Sequence, residues 1–187
     1  MQPTIIKNFI SKDTAYYLNN YFRPLVEINP NGLLNVPLTA GDNGLGFSCK
    51  DPAIKESNIS LDIVTLIVEA IAHRFNLPKN RVSIRSCNYQ VLVEGQEIGY
   101  HSDNRGAYRN KMKNDGWSAL LYLDDQYTGG EILFYELDEN GKEISKSYHP
   151  TPGTLIYFKG DEEHCHSVNK VINGERPNLI LFFDVND

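Results

Sequence analysis

Cysteine is scarce in this chain: Cys49, Cys87 and Cys165 are the only three in 187 residues. An odd count does not build a disulfide framework, so free thiols in a reducing compartment are expected. The opening stretch, Met1-Gln2-Pro3-Thr4-Ile5-Ile6-Lys7, lacks the charged-then-apolar pattern of a secretory leader. No run approaches the roughly 18 consecutive apolar residues of a membrane span. A cytoplasmic location without membrane association is the expectation. Positive charge is also in deficit, with 18 Lys and Arg against 24 Asp and Glu and a net charge of −6. That balance argues against a phosphate backbone as partner, so nucleic acid is not expected to bind. Repeats, linkers and low-complexity tracts are missing too. What remains is an ordinary globular composition, 41% hydrophobic and 11% aromatic. One domain over residues 1–187, with a sizeable core, accounts for it.

The first part, residues 1–80, reads as helical support and loop. Ser11 can cap a helix through Phe22, with Tyr17, Leu18, Tyr21 and Phe22 as its apolar stripe and Pro24 stopping it. Residues 28–58 carry scattered Pro and Gly with little periodicity, which predicts a long loop with one short strand at most. Ser60 opens a second helix; Ile63, Leu66, Ile67, Ala70, Ile71 and Phe75 recur at helical spacing. From Arg81 onward the period is two. Val82, Ile84, Tyr89, Val91 and Val93 suggest strands broken near Cys87-Asn88, the first of about eight short strands that the turn signals mark off to the C-terminus. The class is α+β, mainly β, with a sandwich or barrel over 81–187.

His101-Ser102-Asp103 is the most informative motif in that region. With one residue between them, the histidine and the carboxylate share a face of an extended segment. Far downstream stands His164-Cys165-His166, and either histidine could close a three-point ligand set, since residues 164 and 166 have the same parity. Two imidazoles and one carboxylate on one face, with the opposite face open, suit the facial triad of non-haem Fe(II) oxygenases. Arg176 follows, and its guanidinium is a natural clamp for the carboxylate of a co-substrate.

These residues stand in a longer pattern. Gly95 precedes His101-Ser102-Asp103; then come Ser118-Ala119-Leu120-Leu121-Tyr122-Leu123-Asp124-Asp125 and Gly129-Gly130-Glu131. Pro152-Gly153-Thr154-Leu155-Ile156-Tyr157-Phe158 follows, and His166-Ser167-Val168-Asn169-Lys170-Val171-Ile172-Asn173-Gly174-Glu175-Arg176 closes it. Together the segments resemble the Fe(II)/2-oxoglutarate-dependent dioxygenases, nearest to their prolyl 4-hydroxylase branch. The resemblance implies a double-stranded β-helix (jelly-roll or cupin-like) core with two N-terminal supporting helices. It implies iron held by His101, Asp103 and His166, the spacing to Val171 and Arg176 favouring His166 over His164. Arg176 would bind the distal carboxylate of 2-oxoglutarate, with Tyr122 as hydroxyl partner and Ser118 lining the same pocket. Relatives often carry a tyrosine where this chain has Leu92, and Tyr89 has the opposite parity.

The implied reaction consumes 2-oxoglutarate and O₂, releases succinate and CO₂, and hydroxylates an unactivated C–H bond; ascorbate is left open as an accessory. A prolyl residue in a peptide or protein is the leading substrate. A nucleic-acid alkylated-base demethylase and a hydroxylase of free amino acids or other small molecules are the alternatives. A demethylase usually has a second arginine six residues after the first, where this chain has Phe182. A catalytically silent module is disfavoured by the intact ligand set. Next to Asp103, Arg105 and Arg109 belong to a basic stretch that reads as a lid against substrate, and Tyr108 and Trp117 as aromatic surfaces for a proline ring or peptide.

Overall fold

Period-two alternation in the second half of the chain becomes antiparallel sheet. A computed structural model describes residues 2–28, 45–48, 58–103, 116–137 and 143–185. Strand β1 (Thr4–Ile6) leads into helix α1 (Lys12–Ile28). Ser11 caps that helix as expected: its Oγ accepts the Thr14 N–H at 3.0 Å and its carbonyl accepts the Ala15 N–H at 3.0 Å. Pro24 does not stop the helix. It has no N–H for the Asn20 carbonyl, but the next turn buries Val26 and lays Leu25 on the core, which outweighs the lost bond.

Strand β2 (Leu45–Ser48) is a short strand inside the span 28–58, of which residues 29–44 and 49–57 lie outside the described residues, and α2 spans Asn58–Arg74. The remaining strands are β3 (Val82–Val93), β4 (Ile98–His101), β5 (Gly116–Tyr122), β6 (Thr128–Gly129), β7 (Ile132–Leu137), β8 (Glu143–Tyr148), β9 (Leu155–Lys159), β10 (His166–Val168), β11 (Val171–Asn173) and β12 (Glu175–Val185). From Val82 onward that makes ten among the described residues rather than about eight. The extra ones, such as β6 and β11, are two or three residues long and carry too little alternation to read.

Six strands form the larger sheet, in the order β1-β9-β5-β12-β3-β2; four form the smaller, β4-β10-β7-β8; β11 and β6 make a two-stranded ribbon. The fold is a double-stranded β-helix with two supporting helices. The helices cover one face of the large sheet. There Ala15, Leu18, Phe22, Ile67 and Ile71 bury against Cys87, Tyr89, Val91, Leu121, Leu181 and Phe183. Full burial of a side chain like Phe22 is worth about 1.5–3 kcal/mol. The inner face, with Leu92, Leu120, Tyr122, Ile156 and Phe158, meets Ile132, Phe134 and Val168 of the small sheet.

β3 is not broken near Cys87-Asn88. It runs continuously, but Phe182 pairs with Ser86 and Phe183 with Ile84, so Arg85 is an extra residue in the ladder. This β-bulge reverses the parity. Val82 and Ile84 before it, and Cys87, Tyr89 and Val91 after it, all reach the helix-covered face. Asn88, Gln90 and Leu92 are left on the inner one. Among the described residues no helix is long and apolar enough to cross a membrane.

Candidate active site

The ligand triad assembles where the two sheets face each other. His101 ends β4 and pairs directly with His166 at the start of β10. Asp103 lies two residues past the strand end. Its Oδ1 is 3.5 Å from His101 Nε2 and 3.9 Å from His166 Nε2, and all three ligand atoms lie within 4.8 Å of one another. Both imidazoles turn Nδ1 to a backbone carbonyl: His101 to Gly99 at 2.8 Å, His166 to His164 at 3.1 Å. A ring that donates from Nδ1 keeps its Nε2 lone pair for a metal. Phe134 and Phe158 hold the His166 ring from two sides, at centroid distances of 5.6 and 4.8 Å.

The electrostatics suit a cation. Burial pushes the His166 imidazole down to about 4, against the attraction of Asp103, so it is neutral at physiological pH. Burial alone would raise Asp103, but His166, His101 and the Ser118 hydroxyl together hold its carboxyl below the usual range. For His101 burial acts downward, yet its contacts with Asp103 and the Gly99 carbonyl raise it on balance. The donor set, two neutral-capable imidazoles and one ionised carboxylate around a common point, fits Fe(II).

His164 stands apart. It ends a 3-10 turn, Glu162–His164, and its Nδ1 meets Asp161 Oδ1 at 2.5 Å. The equal parity of residues 164 and 166 is therefore lost in the structure, because the strand begins only at His166.

Arg176 is fully buried on the inner face of β12. Its Nη2 donates to the Tyr122 hydroxyl at 2.7 Å, and its guanidinium lies 5.0 Å from the Tyr122 ring centre. Nε and Nη1 have no hydrogen-bond partner. A buried guanidinium with open donors needs an anion, and the distal carboxylate of 2-oxoglutarate fits that need. Gly130 makes room for it. At φ +66 it is in the left-handed region, and a Cβ there would stand 2.9 Å from Arg176 Cδ.

Two expected roles change. Ser118 does share the Tyr122 face of β5, but its hydroxyl donates to Asp103 Oδ2, so it orients the carboxylate instead of lining the co-substrate pocket. Trp117, one residue earlier, is on the opposite face. It packs against Phe75, Tyr157 and Phe183 under the helices, away from the metal-ligand side of the sheet. Arg105, Tyr108 and Arg109 lie outside the described residues. Leu92 is buried in the inner cluster, whereas the Tyr89 hydroxyl donates to Asn19 Oδ1 at 2.7 Å on the helix side, so Tyr89 does not replace the tyrosine of relatives.

Sequence reasoning missed Tyr127, Gln90 and Asn178 as pocket residues. All three are buried beside or in register with this pocket and have unpartnered polar atoms. Tyr127 immediately precedes β6, outside any segment with a periodic signal, and the amides sit on strands where alternation marks only the face.

A family model described as the 2OG-Fe(II) oxygenase superfamily matches residues 87–184. The chain belongs to the 2OG-Fe(II) oxygenase superfamily. Within this superfamily of oxidoreductases, part of the oxygenase is similar to prolyl 3-hydroxylase 2 of Rattus norvegicus, 39% identical over 67 residues. That match covers 36% of this chain and 9% of the relative, so it spans under a tenth of the relative's length. Among solved structures, a prolyl-4-hydroxylase from Pseudomonas putida superposes with a TM-score of 0.65 at 17% identity, covering 99% of this chain and 93% of that one. A prolyl hydroxylase from Trichoplax adhaerens, in complex with a hypoxia-inducible-factor peptide fragment, gives 0.64 at 16% identity over 98% and 83%. The carbocyclase SnoK of nogalamycin biosynthesis gives 0.69 at 11% over 97% and 79%. At these identities the likeness is one of fold.

Proposed function

We propose that this oxygenase is an Fe(II)- and 2-oxoglutarate-dependent dioxygenase that hydroxylates a prolyl residue in a peptide or protein. The observation that carries the chemistry is the pairing of His101 with His166 across adjacent strands, with Asp103 beside them and the open donors of Arg176 in the same barrel. Prolyl substrate is favoured by the partial sequence similarity to a prolyl 3-hydroxylase.

His101, Asp103 and His166 would hold Fe(II), which with 2-oxoglutarate and O₂ supplies the oxidising power, coupling loss of CO₂ and formation of succinate to hydroxylation. The chain does the rest. Gly99 and His164 carbonyls fix the two rings, and Ser118 fixes the carboxylate, so three ligands stay on one side and leave the other open. Arg176 and Tyr122 would anchor the distal carboxylate of the co-substrate. Phe134, Phe158 and Ile156 keep the interior dry.

The test is an anaerobic titration with Fe(II) and 2-oxoglutarate, followed by O₂ and a panel of proline-rich peptides. A visible iron-to-keto-acid charge-transfer band, then peptide-stimulated succinate and a product heavier by one oxygen, is expected. A band with no peptide stimulation would overturn the prolyl substrate and direct the search to small molecules and nucleic acids. Absence of the band would overturn the enzyme reading.

A further inference from the structure

Around Arg176, buried donors outnumber the partners they have. Tyr127 is 5% exposed; its hydroxyl stands near the Arg176 guanidinium but forms no well-aligned hydrogen bond. Its ring lies against Gly130: a Cβ there would stand 3.2 Å from Tyr127 Cε2 and 2.9 Å from Arg176 Cδ. The phenol and the arginine stem thus flank one glycine. On its other side the ring stacks on His149 at a centroid distance of 4.8 Å, which fixes it in place. Burial pushes the phenol up to about 12 even with the Arg176 guanidinium pulling it down. At physiological pH it is a neutral O–H donor.

A phenylalanine would fill this space without leaving a buried hydroxyl unpaired. The hydroxyl therefore calls for a partner, and the count of donors says which. A carboxylate offers about four lone-pair sites. Arg176 Nε and Nη1 supply two donors. The Tyr122 oxygen already accepts from Arg176 Nη2, so its proton is free for a third site. Tyr127 completes the fourth. Gln90 leaves open only an acceptor oxygen, which a carboxylate cannot satisfy; Asn178 leaves open both its oxygen and its Nδ2, and a carboxylate would satisfy the donor but not the acceptor.

We infer that Tyr127 is a further co-substrate-positioning residue, its hydroxyl donating to the same distal carboxylate that Arg176 and Tyr122 bind. The inference rests on the proposed 2-oxoglutarate chemistry. It gives this turn a task beyond connecting strands: Tyr127 and Gly130 together shape the closed end of the co-substrate pocket.

The experiment compares wild type with Tyr127→Phe in two measurements. Thermal unfolding of the metal-free protein should show the variant as stable as wild type or more so, since an unpaired buried hydroxyl has been removed. Anaerobic titration of the Fe(II)-loaded proteins should show 2-oxoglutarate binding about tenfold weaker in the variant, the loss of one hydrogen bond to a charged acceptor. 2-Oxobutyrate, a keto acid without the distal carboxylate, should bind both proteins equally. Unchanged 2-oxoglutarate affinity in Tyr127→Phe overturns the inference alone, and a lower melting point with unchanged affinity assigns the hydroxyl to the fold instead. Equal weakening toward 2-oxobutyrate would mean a general distortion and also overturns it. If wild type itself gives no charge-transfer band, the functional reading fails and this inference with it.

Discussion

His101 and His166 are mirror solutions to the same problem: each sits opposite the other across β4 and β10, and each ties its Nδ1 to the carbonyl two residues before it. Their Nε2 atoms are thereby aimed at one point together with Asp103. His166→Ala should abolish Fe(II) binding and 2-oxoglutarate turnover. His164→Ala should retain most of both, because the His164 side chain is engaged with Asp161 and only its backbone carbonyl serves His166. Metal titration of the two variants checks this, and the reverse result would exchange the ligand assignment.

Ser118 acts on the metal through Asp103. Ser118→Ala keeps the shape of β5 but frees the carboxylate to rotate. Loss of a group that orients a ligand in this way typically costs about 10–100-fold in metal affinity or activity. A drop of that size in Fe(II) affinity with unchanged 2-oxoglutarate affinity at saturating metal is expected; a drop in co-substrate affinity alone would return Ser118 to the pocket wall.

Arg176 carries opposite consequences for stability and binding. Its charge is fully buried, with one aligned hydrogen bond to the Tyr122 hydroxyl and no carboxylate partner among the described residues, so replacing it with a hydrophobic residue of similar volume should be neutral or stabilising. Arg176→Met should leave the melting temperature of the free protein unchanged or raised. It should also weaken 2-oxoglutarate binding by about 2–5 kcal/mol, the range for truncating one partner of a buried charge pair. Calorimetry of the free protein alongside the titration reads both.

Gly130→Ala should mimic part of that loss without touching a donor. The new Cβ meets the Arg176 side chain and Tyr127, and φ +66 disfavours alanine. Weaker 2-oxoglutarate binding with lowered stability is expected, in contrast to Arg176→Met, and equal stabilities for the two variants would contradict the placement of the glycine.

Glu175, the first residue of β12, is tied to α1 by Arg23, at 2.6 Å from Nε and 2.7 Å from Nη2. The Arg23 hydrogen bonds hold its carboxyl below the usual range, against partial burial. A lowered folded-state pKa stabilises above the unfolded value of about 4.3 and the effect disappears as pH falls through the folded one. Since the carboxylate is 43% exposed, solvent screening limits the pair to about 0.2–1 kcal/mol. Wild type should therefore be slightly more stable than Glu175→Gln toward urea at pH 7, and the difference should close in acid.

The strands and the His101–Asp103 pair were legible because alternation and His-X-Asp spacing are local signals. What escaped was set by tertiary context. Parity alone could not separate His164 from His166; a 3-10 turn did. Trp117 and Ser118 differ by one position and so face opposite sides of the large sheet, one under the helices and one at the metal ligands. Pro24 marks a helix end only where the following turn has nothing to bury, and here Val26 and Leu25 do. Tyr127 was hidden because a turn word, Tyr-Thr-Gly-Gly, says where the chain bends and not what its side chain touches.

The extra residue at Arg85 gives β3 slack in one direction only. Ile84 and Ser86 already pair with neighbouring residues of β12, so deleting Arg85 would close the ladder with every pair and both faces kept, at the loss of its ion pair with Asp184. A residue inserted between Cys87 and Tyr89 has no such outlet and would exchange the two sides beyond it: Tyr89 and Val91 would swing into the barrel, while Gln90 and Leu92 would be pressed against α1 and α2. Lineages of this chain are therefore expected to shorten at Arg85 without losing the pocket, and not to lengthen past Cys87.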